Sequence, residues 1–346
     1  MKTPYPSVMV MMPVRNEQQH LVSAVESVLK QNYPGQLEIV LAIGPSVDQT
    51  EEVANDLVAK HSSVRIITNP KGLTTSGLNL AIESSKSEVI IRVDAHSELG
   101  ENYLKRGVEI LEDSNSVLVG GIMKAQGKTA LQKAVAFGYG SRFGLGGGRY
   151  HLGGKAGEAE SAYLGIFDAE ALKAVGGYDE NTIRGEDWDL AQRLKAQGGR
   201  VWFSPELVVN YWPRSNIKAL AWQFYSTGVW RGELTRRAPT KASLRYFLPP
   251  LALLVLAGLV VSAILGIVGE LDLIIPIAFY LLVVTFAAAT AKSLSLVDRL
   301  AVFVALPVMH LSWAFGFWIG FVFGAKKTID AGDKKLSTHQ LASWVH

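Results

Sequence analysis

"SEVIIRVDAHSELG", residues 87–100, is the stretch from which the rest of the chain is read. The run Val89-Ile90-Ile91-Arg92-Val93 has the length of a buried strand, and it stops on Asp94 with His96 two residues later. A strand whose C-terminal end carries a carboxylate and an imidazole is either a chance loop or a metal site. The surrounding sequence has to decide between them.

Upstream, the same grammar repeats. Residues 8–12, 37–42, 64–68 and 88–93 read as strands, and 16–31, 48–61 and 74–85 as helices between them. Strands alternating with helices of this length predict an α/β fold with a parallel sheet and right-handed crossovers. In such sheets ligands bind beyond the carboxyl ends of the strands. Residues 13–17, 44–48, 69–72 and 94–96 all occupy such ends and are expected to converge on one crevice.

The chain has 346 residues, 49 % of them hydrophobic, and a mean hydropathy of +0.19. The apolar residues are unevenly spread: 1–240 has the composition of a soluble α/β protein, and 244–325 that of a membrane region. A formal charge of +3 is too small to argue for nucleic acid as a partner. The absence of cysteine excludes disulfides, iron–sulfur clusters and thiol catalysis. The apolar run at 8–14 flows into "PVRNE" without a small-residue cleavage site, so the N-terminal part is expected in the cytosol.

Three apolar segments, 246–268, 271–291 and 299–324, are each long enough to span a bilayer, which needs roughly 20 residues. Arg231, Arg236, Arg237, Lys241 and Arg245 precede them and suit an anionic cytoplasmic leaflet. The expected organisation is a catalytic domain at 1–214, an amphipathic interfacial stretch at 215–243, the membrane region at 244–325 and a polar tail at 326–346. Three crossings would carry the tail, with Lys326, Lys327, Lys334 and Lys335, to the outside against the positive-inside rule. Alternatively Pro307 breaks the third segment into a re-entrant pair. His310, near the middle of that segment, is either functional or simply bonded to a neighbouring helix.

Chemistry concentrates in two places. Asp94 with His96 suits a hard divalent cation held against a diphosphate, Mg²⁺ or, because of the imidazole, Mn²⁺. In "RGEDWDLAQRL", residues 184–194, Glu186, Asp187 and Asp189 crowd the start of a helix. Capping and the helix dipole account for one or two of these acids. A carboxylate there could also serve as general base toward a sugar hydroxyl. The Gly-rich stretch at 138–161 lacks the context of a phosphate loop and reads as a loop near an acceptor or as a linker.

Taken in order, "PVRNE" (13–17), "GPSVDQT" (44–50), "NLAI" (79–82), "RVDAH" (92–96), "GGYDE" (176–180), "GEDWDLAQRL" (185–194) and "QFYSTGVWR" (223–231) resemble the family 2 glycosyltransferases. Within that family the membrane region is similar to the bacterial exopolysaccharide, succinoglycan-type branch. The resemblance implies a GT-A fold, a Rossmann-like, mostly parallel sheet, followed by transmembrane helices. It implies that Pro13, Arg15, Asn16 and Glu17 line the nucleotide pocket, with Asp48, Lys71 and Asp94 as further donor contacts. It places Asp94 and His96 at the metal motif and makes Asp187, beside Glu186, the catalytic base. Gln223, Trp230 and Arg231 would hold diphosphate and acceptor. The position where relatives carry a base-reading acid falls on Ile43, with only Asp48 nearby, so these residues leave the base open; the donor expected is a UDP-sugar, with a GDP-sugar as the alternative.

The function expected is inverting transfer of a single sugar from a nucleotide-sugar to a lipid-linked or cell-envelope acceptor. "QFYSTGVWR" is looser than the QxxRW of processive synthases. Transfer to polyprenyl phosphate, processive synthesis and non-catalytic nucleotide binding are the alternatives.

Overall fold

The structure, a computed structural model, describes residues 5–145, 148–239 and 243–325. In chain order the first elements are β1 (Val8–Val14), α1 (Leu21–Leu29), β2 (Leu37–Ile43), α2 (Thr50–Lys60), β3 (Val64–Thr68), α3 (Thr74–Ser84), β4 (Val89–Arg92), β5 (Glu98–Leu99), α4 (Tyr103–Asp113) and β6 (Leu118–Ala125). They are followed by α5 (Ala130–Tyr139), α6 (Arg149–Leu152), β7 (Gly157–Glu158), β8 (Ile166–Asp168), α7 (Ala169–Ala174), α8 (Glu186–Ala196), β9 (Val201–Tyr211), α9 (Ile217–Arg237), α10 (Leu248–Ile264), α11 (Glu270–Thr290) and α12 (Leu296–Phe323).

The described residues divide into two units, one holding those up to Lys124 and Arg149–Tyr211, the other Ala125–Gly148 and those from Trp212 to Ala325. The first is an α/β sandwich around a sheet ordered β3-β2-β1-β4-β8-β6-β9-β5, with β7 on β9. The β3-β2-β1-β4 half is parallel; β8 then runs antiparallel to β4. Strand periodicity splits β1 between two cores. Val8, Val10 and Met12 pack with α1, α2 and α4, while Met9 and Met11 pack with α3, α7 and α8. Met11 lies opposite Arg92, and Val14 opposite Ile43. The loops after β1, β2 and β4 therefore leave the sheet from adjacent strand ends.

Two expected elements change. The helix expected from residue 16 begins at Leu21, because Asn16 adopts a left-handed φ of 55° that a helix cannot continue through. The pattern of "RVWFSPELVVNYWP", residues 200–213, predicts two short strands, and the structure has one, β9. On the flank it shares with β7 and β5, Pro205 falls between the residues paired to β7 and those paired to β5, so its missing N–H leaves no ladder bond open there.

The second unit is helical. α9 and α12 meet along two glycine pairs, Gly228 with Gly232 and Gly316 with Gly320. A methyl group at any of the four would overlap the opposing helix backbone, at Trp313, Phe317, Tyr225 and Val229 respectively. The residues expected to lie in an interfacial plane are thus docked on an apolar helix through spacing of the small-xxx-small kind. α5, inside the span read as the catalytic domain, also packs along α12, where Gly138 admits Met309.

α11 and α12, of 21 and 28 residues, are long and apolar enough to cross a membrane; α10, at 17 residues, is shorter. Val255, Phe279, Leu282 and Phe286 are each more than half exposed on α10 and α11, an apolar surface that water does not favour. α12 continues through Pro307 as one helix, so the re-entrant alternative is not adopted. His310 uses both ring nitrogens: Nδ1 lies 2.9 Å from the Tyr280 hydroxyl and Nε2 lies 2.8 Å from the Phe143 carbonyl. That geometry is a helix-tying bond. The expected lysine tail at 326–346, and Lys241, lie outside the described residues.

Candidate active site

The strand-end loops are laced to one another by the residues expected in the nucleotide pocket. Asn16 accepts from the Val47 N–H at 2.9 Å, and its own N–H donates to Ser46 Oγ at 3.0 Å. Arg15 donates to the carbonyls of Pro45 and Gly72. Asp48 accepts from the N–H groups of Thr50 and Gln18 and from the Thr50 hydroxyl. These bonds hold its carboxyl below the usual carboxylate range against the opposing effect of burial. Pro13 sits in β1 opposite Ala42. Lys71, largely exposed, pairs with Glu180 at 2.5 Å.

Next to these loops lies a buried charge cluster centred on Arg92, whose side chain is 6 % exposed. Its Nε donates to Asp94 at 3.0 Å, and its Nη1 to Asp187 at 2.8 Å and Glu186 at 3.1 Å. Burial opposes the guanidinium charge, but Asp187, Asp94 and Glu186 hold it firmly protonated. Asp94 and Asp187, ninety-three positions apart in sequence, thus share one guanidinium. Gly185, left-handed at φ 79°, turns the chain into α8 and sets Glu186 and Asp187 in its first turn. Three carboxylates face one cation, so the cluster is over-supplied with negative charge. Burial pushes the Asp187 carboxyl up to about 7; Arg92 works against this, and Glu186 and Asp94 add to it. Tyr178 covers the cluster, with the Arg92 guanidinium carbon 5.9 Å from its ring centre.

On the other side of Asp94, the turn closed by the Ser97 N–H on the Asp94 carbonyl presents His96. His96 Nδ1 lies 2.9 Å from Oε1 of the buried Glu17. The second oxygen, Glu17 Oε2, makes no hydrogen bond among the described residues. Among the described residues no three His, Asp or Glu side chains form a set that could hold a metal ion unaided. Asp94 and His96 do suit a divalent ion whose remaining ligands are diphosphate oxygens and water. The charge excess around Arg92 and the half-satisfied carboxylate behind His96 both fit that donor set.

Gln223, Trp230 and Arg231 belong to α9, in the helical unit. Trp230 is buried with Val229 and Ala325, and the Arg231 guanidinium stands 4.3 Å from the Tyr246 ring centre. Arg92 and Tyr178 lie inside the quoted motifs "RVDAH" and "GGYDE" without an expected role of their own. Arg92 left a signal: a charged residue inside a buried strand needs anionic partners close by.

Residues 9–160 match the family described as "Glycosyl transferase family 2". The succinoglycan biosynthesis protein ExoA of Rhizobium meliloti is 32 % identical over 324 residues, covering 90 % of this chain and 94 % of that one. A dolichyl N-acetyl-α-D-glucosaminyl phosphate 3-β-D-2,3-diacetamido-2,3-dideoxy-β-D-glucuronosyltransferase of Methanococcus voltae is 22 % identical over 328 residues, covering 91 % and 97 %. Among solved structures, the mannosyltransferase PcManGT of Pyrobaculum calidifontis, in complex with GDP-Man and Mn²⁺, superposes with a TM-score of 0.61 at 16 % identity, covering 93 % of this chain and 88 % of that one.

Proposed function

Because the chain belongs to glycosyltransferase family 2, we propose that it is an inverting transferase, anchored in the membrane by several passes with its α/β unit in the cytosol. It moves one sugar from a nucleotide-sugar to a lipid-linked or cell-envelope glycan. The observation that carries this reading is the single guanidinium of Arg92 joining Asp94 and Asp187. A donor-side acid and an acceptor-side acid held this close can serve the two ends of one displacement.

In that displacement the acceptor oxygen attacks the anomeric carbon and the bond from that carbon to the diphosphate oxygen breaks, inverting the centre. The acceptor proton passes to the Asp187 carboxylate. A carboxyl raised to about 7 is well matched to that work near neutral pH. Glu186 shares the Arg92 guanidinium with it and keeps the base oriented. Asp94 and His96 would hold the cation, Mn²⁺ or Mg²⁺, which when bound neutralises charge on the departing diphosphate. Pro13, Arg15, Asn16, Asp48 and Lys71 form the donor side. Arg15, Asn16 and Asp48 shape it by fixing the loops.

Gln223, Trp230 and Arg231 are assigned to the diphosphate and acceptor. Trp230, being buried, acts through α9, and Gln223 and Arg231 are the candidates for direct contact. The lipid-linked sugar in the name of the archaeal relative supports a lipid-linked acceptor here. UDP-sugars are the first donors to try and GDP-sugars, as in the mannosyltransferase complex, the second.

The test supplies purified full-length protein with a panel of nucleotide-sugars and a membrane lipid extract. Nucleotide release with formation of a glycolipid is expected, and Asp187→Asn should lower it by about 10²–10⁴. Unchanged turnover in that variant removes Asp187 from the role of base.

A further inference from the structure

Glu17 was expected to line the nucleotide pocket, but its surroundings suggest another task. The residue is 5 % exposed. Its backbone is fixed on both sides: the N–H donates to Thr50 Oγ1 at 2.7 Å, and the carbonyl accepts from the N–H groups of His20 and Leu21. The Thr50 hydroxyl is in turn held by Asp48. The backbone is therefore fixed, and burial confines the side chain. Oε1 meets His96 Nδ1 at 2.9 Å, and Oε2 has no hydrogen-bond partner among the described residues.

A buried carboxylate with one oxygen unsatisfied costs stability. An amide would cost less and could also reach the imidazole. What the carboxylate does, and an amide does not, is act on the electronics of His96. It accepts a hydrogen bond only from Nδ1–H, which leaves Nε2 carrying the lone pair, and its charge makes that lone pair a stronger donor. Metal-ligating histidines are commonly backed by a carboxylate in this way.

Resting on the cation reading above, we propose that Glu17 is the positioning residue of the cation site, fixing the His96 tautomer and setting the affinity for Mn²⁺ relative to Mg²⁺. Asp94 would supply the charge that either ion needs. The Glu17–His96 pair supplies the nitrogen ligand, which matters more to Mn²⁺ than to the oxygen-preferring Mg²⁺.

The experiment measures ion binding without turnover. Full-length protein in detergent is saturated with UDP and titrated with Mn²⁺, free ion being read by electron paramagnetic resonance, then back-titrated with Mg²⁺. Glu17→Gln should weaken Mn²⁺ binding about ten- to a hundredfold and Mg²⁺ binding less. Its melting temperature should hold or rise, and UDP binding in EDTA, by calorimetry, should not change. In a His96→Ala background, Glu17→Gln should add nothing further.

Mn²⁺ affinity within twofold of wild type in Glu17→Gln overturns the assignment. So does an equal loss of UDP binding in EDTA, which would return Glu17 to the nucleotide pocket. If Glu17→Gln does not fold, Glu17→Asp keeps the charge but withdraws it from the ring; Mn²⁺ binding like wild type in that variant also overturns the assignment. Asp94→Asn and His96→Ala separate the two levels of the claim. If both lose Mn²⁺ and Glu17→Gln does not, only the role of Glu17 fails. If both retain Mn²⁺, the cation reading fails and the role of Glu17 fails with it.

Discussion

The charge cluster around Arg92 and the glycine seam between α9 and α12 solve opposite problems. In the cluster, three acids and one base are taken out of water and depend on one another. Four glycines in the seam remove side chains altogether, so that backbones touch. The cluster is costly to assemble but available for chemistry, since its groups can gain, lose or share charge. The seam has nothing to ionise and serves only to hold two helices together. The site proposed for chemistry lies where the fold accepts instability, and the helix seam lies where it accepts none.

That contrast can be broken in order of expected effect. Arg92→Met should be the most damaging change, because it strands three acids. Breaking a buried ion cluster on one side costs about 3–5 kcal/mol, measurable by denaturant unfolding, and activity should vanish with it. If Arg92→Met is as stable as wild type, the cluster is not the interdependent unit described. Gly320→Ala comes next. One methyl against the Val229 carbonyl should cost on the order of 1–3 kcal/mol and loosen α9 from α12, read as faster proteolysis within α9. Unchanged protection would show that the seam tolerates side chains after all.

A separate comparison sharpens the contrast through pH. The folded Asp187 carboxyl sits at about 7, above its ordinary value of 3.8, so the folded chain binds more protons than the unfolded one in between. Its contribution to stability therefore falls as pH rises from about 4 to 7 and levels off beyond. Wild type should lose stability relative to Asp187→Asn across that window in EDTA. Over the upper part of the same window the transferase rate should rise as the base ionises. A flat difference between the two proteins would place the Asp187 titration elsewhere.

Much of this was legible in the linear chain. Alternating strands and helices determined the parallel half-sheet, the ordered motifs from "PVRNE" to "QFYSTGVWR" carried the family, and acids at strand ends marked the edge where the site is proposed. They did so because strand and helix periods and chain-end chemistry are local properties. The apolar helices were equally local. Tertiary structure decided the partners: that Arg92 holds Asp94 to Asp187, that Glu17 backs His96, and that α5 and α9 pack on α12. Each of these joins residues tens to hundreds of positions apart. Such pairings depend on register, crossover and close backbone approach, which no short stretch of sequence encodes by itself.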